Sequence, residues 1–330
     1  MKRIGRLVAG IVGIAVAIVA SPITTGAQSY PARPVRILLG APPGSGPDIV
    51  GRILAEKMAG DLGQPVIVEN RPGASGTIAA QLAARASADG HTMLLGTAAN
   101  LAVAPHLLPS ARYDPMTAFA PVGLIQRGPY VIAVYPGVPA RNLPEFIAHA
   151  KSNPGKLDFG TPGVGSAHHV AWELFQLRTG TRLTHIPYKG GAQVVQETIA
   201  GRIAVFMASP NSRISQFVEA GKLRYIAITG AARLKQLPSV PTVSEQGVPG
   251  FEAYSWWGLL MPAGAPREAV ARINAALNTA LDEPGIRKRL RQQGVPDERF
   301  AATPQEFGAW IGAEHARWGK VIKDAGIRIK

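Results

Sequence analysis

The sequence predicts an α/β fold with mostly parallel sheets flanked by helices, divided into two domains. Short apolar runs alternate with helical patterns along the chain, which is typical of parallel sheets. A strand, a glycine-rich loop and a helix follow one another twice, at 35–58 and at 157–178. The chain has 330 residues, and chains beyond roughly 250–300 residues usually form more than one domain.

Residues 1–27 have the three-part layout of a secretory signal peptide. Basic residues at positions 2, 3 and 6 precede an apolar run of 14 residues, Leu7 to Ala20, and small residues at 25–27 precede a predicted cleavage after Ala27. This run is shorter than the roughly 20 residues of a membrane-spanning helix. We therefore expect export and cleavage, with an uncleaved N-terminal anchor as the alternative.

In the first half of the chain, Val35 to Leu39 predicts a buried strand, and residues 42–47 form a turn rich in glycine and proline. The helix after this turn has apolar residues at helical spacing up to Met58. Pro47 suits its first position and Asp48 its first turn. The other elements predicted here are a strand at 66–68, a loop at 70–76, a helix at 77–87 and a strand at 92–95.

In the second half, a strand at 131–135 and a helix at 144–151 precede the second glycine-rich loop. This loop, Thr161 to Ser166, leads into a helix that we expect to end near Arg178. The later elements are a helix at 193–200, strands at 203–207 and 223–229, and helices at 266–281 and 304–325.

The net charge of +14 favours anionic partners. Residues 1–27 carry three basic residues and no acid, so the chain without them is near +11. The dense basic run, Arg287 to Arg291, lies in a predicted helix without aromatic residues, whereas nucleic-acid binding usually combines a basic stripe with stacking aromatics. We expect this run to be a solvated helix face and the protein to have no nucleic-acid partner.

The sequence lacks the motifs of catalysis and of metal binding. Ser75 and Ser166 lack the Gly-x-Ser-x-Gly frame, and the chain has no cysteine. His168 and His169 are adjacent, so on a helix their side chains point about 100° apart, which suits metal ligands poorly. The loop at 40–46 matches neither a P-loop nor a dinucleotide motif. We therefore predict no catalytic residue, no metal and no cofactor.

The two glycine-rich loops predict anion sites. Each precedes a helix, whose first N–H groups lack partners and carry a positive partial charge. Ser166 is the predicted N-cap of the second helix, and His168 in its first turn is either a donor to the anion or a hydrogen-bonding residue of the helix start. If the loops belong to different domains, the two helix N-termini can face each other across a cleft.

Several short motifs also occur in a specific order along the chain. They include Pro43-Gly44-Ser45-Gly46-Pro47-Asp48, Glu69-Asn70-Arg71-Pro72-Gly73-Ala74-Ser75-Gly76, Gly163-Val164-Gly165-Ser166-Ala167-His168, Pro187-Tyr188-Lys189-Gly190 and Leu237-Pro238-Ser239-Val240-Pro241-Thr242. Together they resemble the solute-binding proteins of tripartite tricarboxylate transporters, the Bug (Bordetella uptake gene) family. The resemblance covers nearly all of the chain after residue 27.

The resemblance implies a two-domain periplasmic binding protein with two crossing strands and the ligand in the interdomain cleft. We expect a discontinuous domain at 28–128 plus 250–330 and a second domain at 129–249. It also implies that the protein captures a small organic carboxylate and delivers it to the subunits of a membrane permease. We expect the protein to be a monomer located in the periplasm.

In the family that the chain resembles, backbone amides of loops in both domains hold the carboxylate. The predicted ligand-binding residues are Pro43, Gly44, Ser45, Gly46, Asp48, Ser75, Gly76, Thr97, Thr161, Gly163, Gly165, Ser166, His168, Tyr188 and Ala204. Ala204 stands where the family commonly has an acidic residue that could hold an amino group. We therefore expect a di- or aromatic carboxylate as the ligand in preference to an amino acid.

Two other functions stay open from the sequence. A periplasmic carboxylate sensor would present the same closed cleft to a membrane receptor kinase. A secreted hydrolase would need a catalytic base within hydrogen-bond reach of Ser75 or Ser166.

Overall fold

The computed structural model describes residues 30–296, 298–300 and 302–328. The predicted signal peptide and its cleavage site lie outside the described residues. The strands are β1 (Val35–Leu39), β2 (Val66–Asn70), β3 (Thr92–Thr97), β4 (Phe119–Pro129), β5 (Val131–Val134), β6 (Asp158–Thr161), β7 (Thr184–Pro187), β8 (Val205–Ala208), β9 (Arg224–Ile228) and β10 (Tyr254–Pro262). The α-helices are α1 (Gly46–Leu62), α2 (Thr77–Ala84), α3 (Ala104–Leu107), α4 (Pro115–Ala118), α5 (Leu143–Ser152), α6 (Ala167–Thr179), α7 (Gly191–Ile199), α8 (Ser212–Glu219), α9 (Arg267–Asp282), α10 (Pro284–Gln292) and α11 (Pro304–Asp324).

The first sheet has the strand order β2-β1-β3-β10-β4. β1 pairs parallel with β2 and β3, and β10 pairs antiparallel with β3 and β4. β10 therefore runs against the other four strands of this sheet. The second sheet, in the order β7-β6-β8-β5-β9, repeats the plan with β5 as the reversed strand. Because four of five strands in each sheet share one direction, the predicted fold of mostly parallel sheets is confirmed.

Helices cover both faces of the first sheet because its side chains alternate. Ile37 and Leu39 of β1 belong to the apolar cluster that also contains residues of α1 and α9. Leu38, between them, belongs to the cluster with residues of α2 and α11. This alternation is the period of two that a strand imposes. Among the described residues, no helix is long and apolar enough to cross a membrane.

The sequence pattern does not predict the strands β4, β7 and β10. β4 contains Pro121, Gly123 and Gly128, residues that weaken a strand pattern. Proline is tolerated on an edge strand, and β4 lies at the edge of its sheet. β10 is buried along its whole length, so it has no alternation of apolar and polar residues that would distinguish it from buried helix.

One residue ties together the two places where the chain passes between the sheets. The chain leaves the first sheet at Tyr130, between β4 and β5, and returns to it between β9 and β10. Thr229 is fully buried. Its Oγ1 accepts from the Tyr130 amide at 2.8 Å and donates to the Ala253 carbonyl at 2.6 Å, and its own backbone bonds both residues as well. These crossings support our proposed division at 128/129 and 249/250.

We expect Thr229→Val to lower the free energy of unfolding by about 1–3 kcal/mol, because the isosteric side chain leaves the buried Tyr130 N–H without its acceptor. Thr229→Ser, which keeps the hydroxyl group, is the matched control and should lose less. Urea denaturation followed by circular dichroism measures both variants. Equal stability of Thr229→Val and the unchanged protein would show that the hydrogen bonds of the Thr229 hydroxyl do not stabilise the fold.

Candidate functional site

The candidate site lies where the carboxyl ends of the parallel strands of both sheets face each other. Ligands of open α/β sheets bind outside these strand ends. In the first sheet, β1 and β2 lead into loops 40–45 and 71–76, and in the second sheet β6 leads into loop 162–166. A hydrogen bond joins the two sides, because Ser75 Oγ donates to the Val164 carbonyl at 2.8 Å. The predicted loops are therefore brought together across a cleft.

The first loop ends at helix α1 without a side-chain cap. Ser45 is the N-cap residue, but its Oγ donates to the Pro42 carbonyl at 2.7 Å and accepts no bond from the helix. Gly46 is the first helical residue and Pro47, which has no N–H, the second. Pro43 and Gly44 form the exposed tip of the loop. The Gly46 amide at the positive end of α1 is therefore left for an anion.

The side chain of Asp48, in the first turn of α1, stabilises this first loop. Asp48 is 3% exposed, and its carboxylate accepts from the Gly44 amide at 2.8 Å, from Asn70 Nδ2 at 2.9 Å and from Arg52 Nε at 3.0 Å. Burial opposes ionisation, but these hydrogen bonds outweigh it and lower the pKa of Asp48. The oxygens of the Asp48 carboxylate are therefore occupied within the protein, and this side chain positions the loop. Ligand binding through the backbone of residues 43–48 stays a prediction.

The loop after β2 contacts the first loop through glycine. A Cβ atom on Gly40 would lie 2.4 Å from the Cα of Gly76, so the two backbones touch at a distance that a side chain would prevent. Ala74 and Ser75 have φ of 45° and 55°, a left-handed conformation that non-glycine residues adopt at a cost. This costly conformation places Ser75 Oγ against Val164 of the other domain.

Asn100 connects this loop to the end of β3. It lies in a π-helical turn, Ala99–Val103, a rare form that occurs often at functional sites. Its Oδ1 accepts from the Thr97 amide at 2.8 Å, and its Nδ2 donates to the Gly76 carbonyl at 3.4 Å. Thr97, a predicted site residue, is thus linked to Gly76 through Asn100, which the sequence analysis does not identify.

The loop after β6 forms the opposite wall of the cleft. Ser166 caps α6 as predicted, since its Oγ accepts from the His169 amide at 3.2 Å. Thr161 Oγ1 bonds both ends of Gly163, at 3.1 Å to its carbonyl and 3.3 Å to its amide. Gly165 has φ of 72°, which favours glycine. The amides of Ala167 and His168, at the first two positions of α6, have no intrahelical acceptor.

The histidine that contacts the loop is His169, not the predicted His168. The Gly165 amide donates to His169 Nδ1 at 3.3 Å. The His168 ring instead lies against the Tyr130 ring at the crossing between the sheets, with centroids 4.6 Å apart. Burial lowers the pKa of His168 to about 4, so this ring is neutral at pH 7. The His168 side chain therefore lies at the crossing between the sheets, while its backbone amide is in the first turn of α6.

Two predicted residues are less well placed for ligand contact. Ala204 lies at the amino end of β8, where its amide donates to Asp158 Oδ1 at 2.6 Å, whereas the cleft loop follows Thr161 at the other end of β6. At about 3.3 Å per residue, this separates Ala204 from the loop by the length of the strand. The ring of Tyr188 packs with the cluster of Val194 and Phe206, although its amide bonds the Thr161 carbonyl at 2.9 Å.

The expected preference against amino acids loses its original basis with Ala204. An acidic residue at position 204 would stand at the far end of the strand, so the alanine there says nothing about the ligand. Trp257, which is not among the predicted site residues, lies next to the start of α1. A Cβ atom on Gly46 would be 3.4 Å from the Trp257 ring. Within the described part of the chain, no three His, Asp or Glu side chains are grouped to hold a metal ion.

The chain matches a known protein family over most of its length. The profile of the tripartite tricarboxylate transporter family receptor matches residues 50–327. This chain belongs to that family. The prediction of a receptor that is not an enzyme is confirmed by this membership, and the resemblance to the Bug proteins is confirmed with it.

Curated and solved relatives cover nearly the whole chain. Protein BugT of Bordetella pertussis (strain Tohama I) is 35% identical over 318 residues, 96% of each chain. Rpa4515 of R. palustris, solved with adipate, is 34% identical with a TM-score of 0.83. The match covers 91% of this chain and 99% of Rpa4515. MatC of Rhodopseudomonas palustris, solved with malate, is 31% identical with a TM-score of 0.80, covering 89% of this chain and 100% of its own. The solved periplasmic binding protein BugD is 32% identical with a TM-score of 0.81.

The bond between Ser75 and Val164 leads to a test of cleft closure. We expect Ser75→Ala and Ser75→Gly to shift the protein towards an open form by roughly two- to tenfold, the effect of one net hydrogen bond of about 0.5–1.5 kcal/mol. Both variants remove the hydroxyl, but glycine also relieves the positive φ, so Ser75→Gly should be the more stable of the two.

Small-angle scattering and amide hydrogen exchange of residues 162–166 measure this shift in the protein without ligand. The exposed Ser87 provides the control variant Ser87→Ala, for which no change is expected. An unchanged radius of gyration and unchanged exchange in both Ser75 variants would show that this bond does not hold the cleft.

Proposed function

We propose that this protein is an exported periplasmic receptor that binds a small organic dicarboxylate between its two domains and delivers it to a membrane permease of the tripartite tricarboxylate type. The observation that supports the proposal is that the loops before α1 and α6 lie on the two sides of the Ser75–Val164 contact, and that the first amides of both helices have no intrahelical acceptor. These are the Gly46 amide on one side and the Ala167 and His168 amides on the other.

The nature of these donors supports an anionic group as the ligand's anchor. Backbone amides at a helix N-terminus bind carboxylate and phosphate groups through direct hydrogen bonds and the helix dipole. The neighbouring arginine side chains form salt bridges within the protein, Arg52 with Asp48 and Arg71 with Glu69. The proposed site therefore binds the carboxylate through the backbone, with a net charge near +11 that attracts anions to the cleft.

The preference for a dicarboxylate over an amino acid has support that does not depend on Ala204. An ammonium group in a closed cleft needs a counter-charge. Asp48 is the acid among the predicted site residues, and its oxygens are occupied by Gly44, Arg52 and Asn70. Two relatives solved with ligand carry the dicarboxylates adipate and malate. The sensor alternative uses the same cleft, and no observation favours it separately.

The export of the chain is part of this proposal. The signal-peptide pattern of residues 1–27 and the periplasmic family members support processing after Ala27. A receptor that carries its ligand by diffusion closes on it because only the closed state lets both domains bond the same carboxylate. We propose that the permease distinguishes this closed state from the open one.

Thermal-shift and calorimetric screening of residues 28–330 tests the ligand class. We expect adipate or malate to raise the melting temperature more than acetate, benzoate or aspartate. At a ligand concentration of about 100 times Kd, the added stability is about 2.7 kcal/mol. The largest shift with aspartate would refute the argument from Asp48, and the absence of any shift with all five acids would refute a carboxylate receptor.

A further inference from the structure

The two anion loops are built on the same plan, in which a side chain of the helix holds the loop that precedes it. In the first loop, the Gly44 amide donates to the carboxylate of Asp48, the third residue of α1. In the second loop, the Gly165 amide donates to Nδ1 of His169, the third residue of α6. Both glycines have positive φ, 75° and 72°. The second loop thus has an imidazole where the first has a carboxylate.

His169 is itself held by a second histidine. Its ring is stacked on that of His185 in β7, with centroids 4.0 Å apart and planes 13° apart. His185 is stacked in turn on Phe159 of β6, with centroids 4.9 Å apart. His185 Nε2 lies 2.6 Å from Thr161 Oγ1, the hydroxyl that bonds Gly163. The two rings therefore contact both ends of loop 162–166.

The hydrogen bonds fix the protonation of His169 and favour a proton on Nε2 of His185. The Gly165 N–H needs an acceptor, so Nδ1 of His169 carries no proton. Its proton is then on Nε2, which faces Glu173 Oε1 at 3.6 Å. Thr161 Oγ1 uses its own proton for the Gly163 carbonyl when His185 donates from Nε2. These partners are satisfied together when His169 is neutral with its proton on Nε2 and His185 carries a proton on Nε2.

We propose that His169 and His185 are positioning residues of the carboxylate site: as a neutral stacked pair they hold loop 162–166 in the shape that presents the first-turn amides of α6 to the ligand. This inference rests on the proposed function of the cleft. Neither ring needs to touch the ligand, because His169 acts through Gly165 and His185 acts through Thr161.

The neutral state has a physical basis in the surroundings of the pair. Burial lowers the pKa of His169 to about 4, and burial together with the neighbouring His169 lowers the pKa of His185 to about 4. The acid that faces the pair is Glu173 on the same helix, whose pKa is raised by burial. A neutral acceptor also keeps a negative charge away from the second anion loop, whereas the carboxylate of Asp48 has Arg52 as its counter-charge.

The protein without ligand provides the first test, which is independent of the proposed function. We expect the imidazole ¹⁵N shifts of His169 and His185 at pH 6 to show neutral rings with the proton on Nε2. The Gly165 amide should exchange slowly with solvent in the unchanged protein and in His169→Asn, whose Oδ1 takes the place of Nδ1. It should exchange quickly in His169→Gln, whose polar atoms lie one bond further out. A charged His169, the opposite tautomer, or equal exchange in the two variants would overturn the proposal.

Binding of adipate, or of malate if only malate binds, provides the second test. We expect His169→Gln to weaken the Kd about tenfold, the effect of about one hydrogen bond, and His169→Asn to stay close to the unchanged protein. In the same way His185→Gln, which keeps a donor at the Nε2 position, should bind better than His185→Leu. His149→Leu, a histidine of α5 outside the cleft loops, is the control and should leave Kd unchanged.

The outcomes separate this inference from the function on which it rests. Binding by the unchanged protein together with equal Kd values for His169→Asn and His169→Gln would overturn the positioning inference alone. No binding of any carboxylate by a protein with the expected histidine tautomers and Gly165 protection would overturn the proposed function and restrict the pair to holding the loop. Charged rings or a fast-exchanging Gly165 would overturn the positioning inference whatever the ligand.

Discussion

The proposed site depends on two conditions. The first amides of α1 and α6 must have no partner within the protein, and the loops that precede these helices must still be held in place. An unpaired N–H buried away from water is costly, so such amides persist where a ligand or water completes them. In α1 the Ser45 hydroxyl is turned to Pro42, and in α6 the Ser166 hydroxyl bonds the third amide and leaves the first two. The side chains of Asp48 and His169 stabilise the loops from the far side. The groups that hold the loops therefore leave the first amides of both helices free to donate to a carboxylate.

A further requirement is that the two walls of the cleft meet in a defined way. Thr229 joins the outgoing and the returning crossing of the chain, so one buried residue links the two connections between the sheets. The Ser75–Val164 hydrogen bond is a separate contact between the two sides. On another edge the Cβ of any residue at position 294 would lie 2.0 Å from the Pro210 carbonyl, so Gly294 allows α10 to approach α8 closely. The two sides of the structure are therefore joined at the crossings, at the Ser75–Val164 bond and at Gly294.

The parts of the site that the sequence predicts are the ones that local chemistry determines. Glycine and proline mark the loops, Pro47 and Ser166 mark the helix starts, and these signals act within a few residues. The two sheets follow from the alternation of apolar strands with helices. β4 escapes prediction because Pro121 and Gly123 interrupt it, and they are tolerated only through its place at the sheet edge.

The parts that the sequence does not predict depend on contacts between distant segments. The carboxylate of Asp48 is unavailable to a ligand because Asn70, at the end of β2, bonds it. The choice between His168 and His169 depends on the direction of one helix turn, which places His169 over His185. Position 204, where alanine replaces the family's acidic residue, is predicted as a site residue from a motif, and a motif does not tell at which end of a strand its residue lies. Pairing of β6 with β8 places it at the end away from the cleft loop.

The most direct test of this account is a crystal structure of residues 28–330 with adipate at atomic detail. The account predicts one carboxylate group in the cleft, with its oxygens within hydrogen-bond reach, about 3 Å, of the Gly46 amide from one domain and the Ala167 or His168 amide from the other, directly or through one ordered water. A carboxylate bound instead by arginine or lysine side chains, or bound outside the space between loops 40–46 and 162–166, would contradict it.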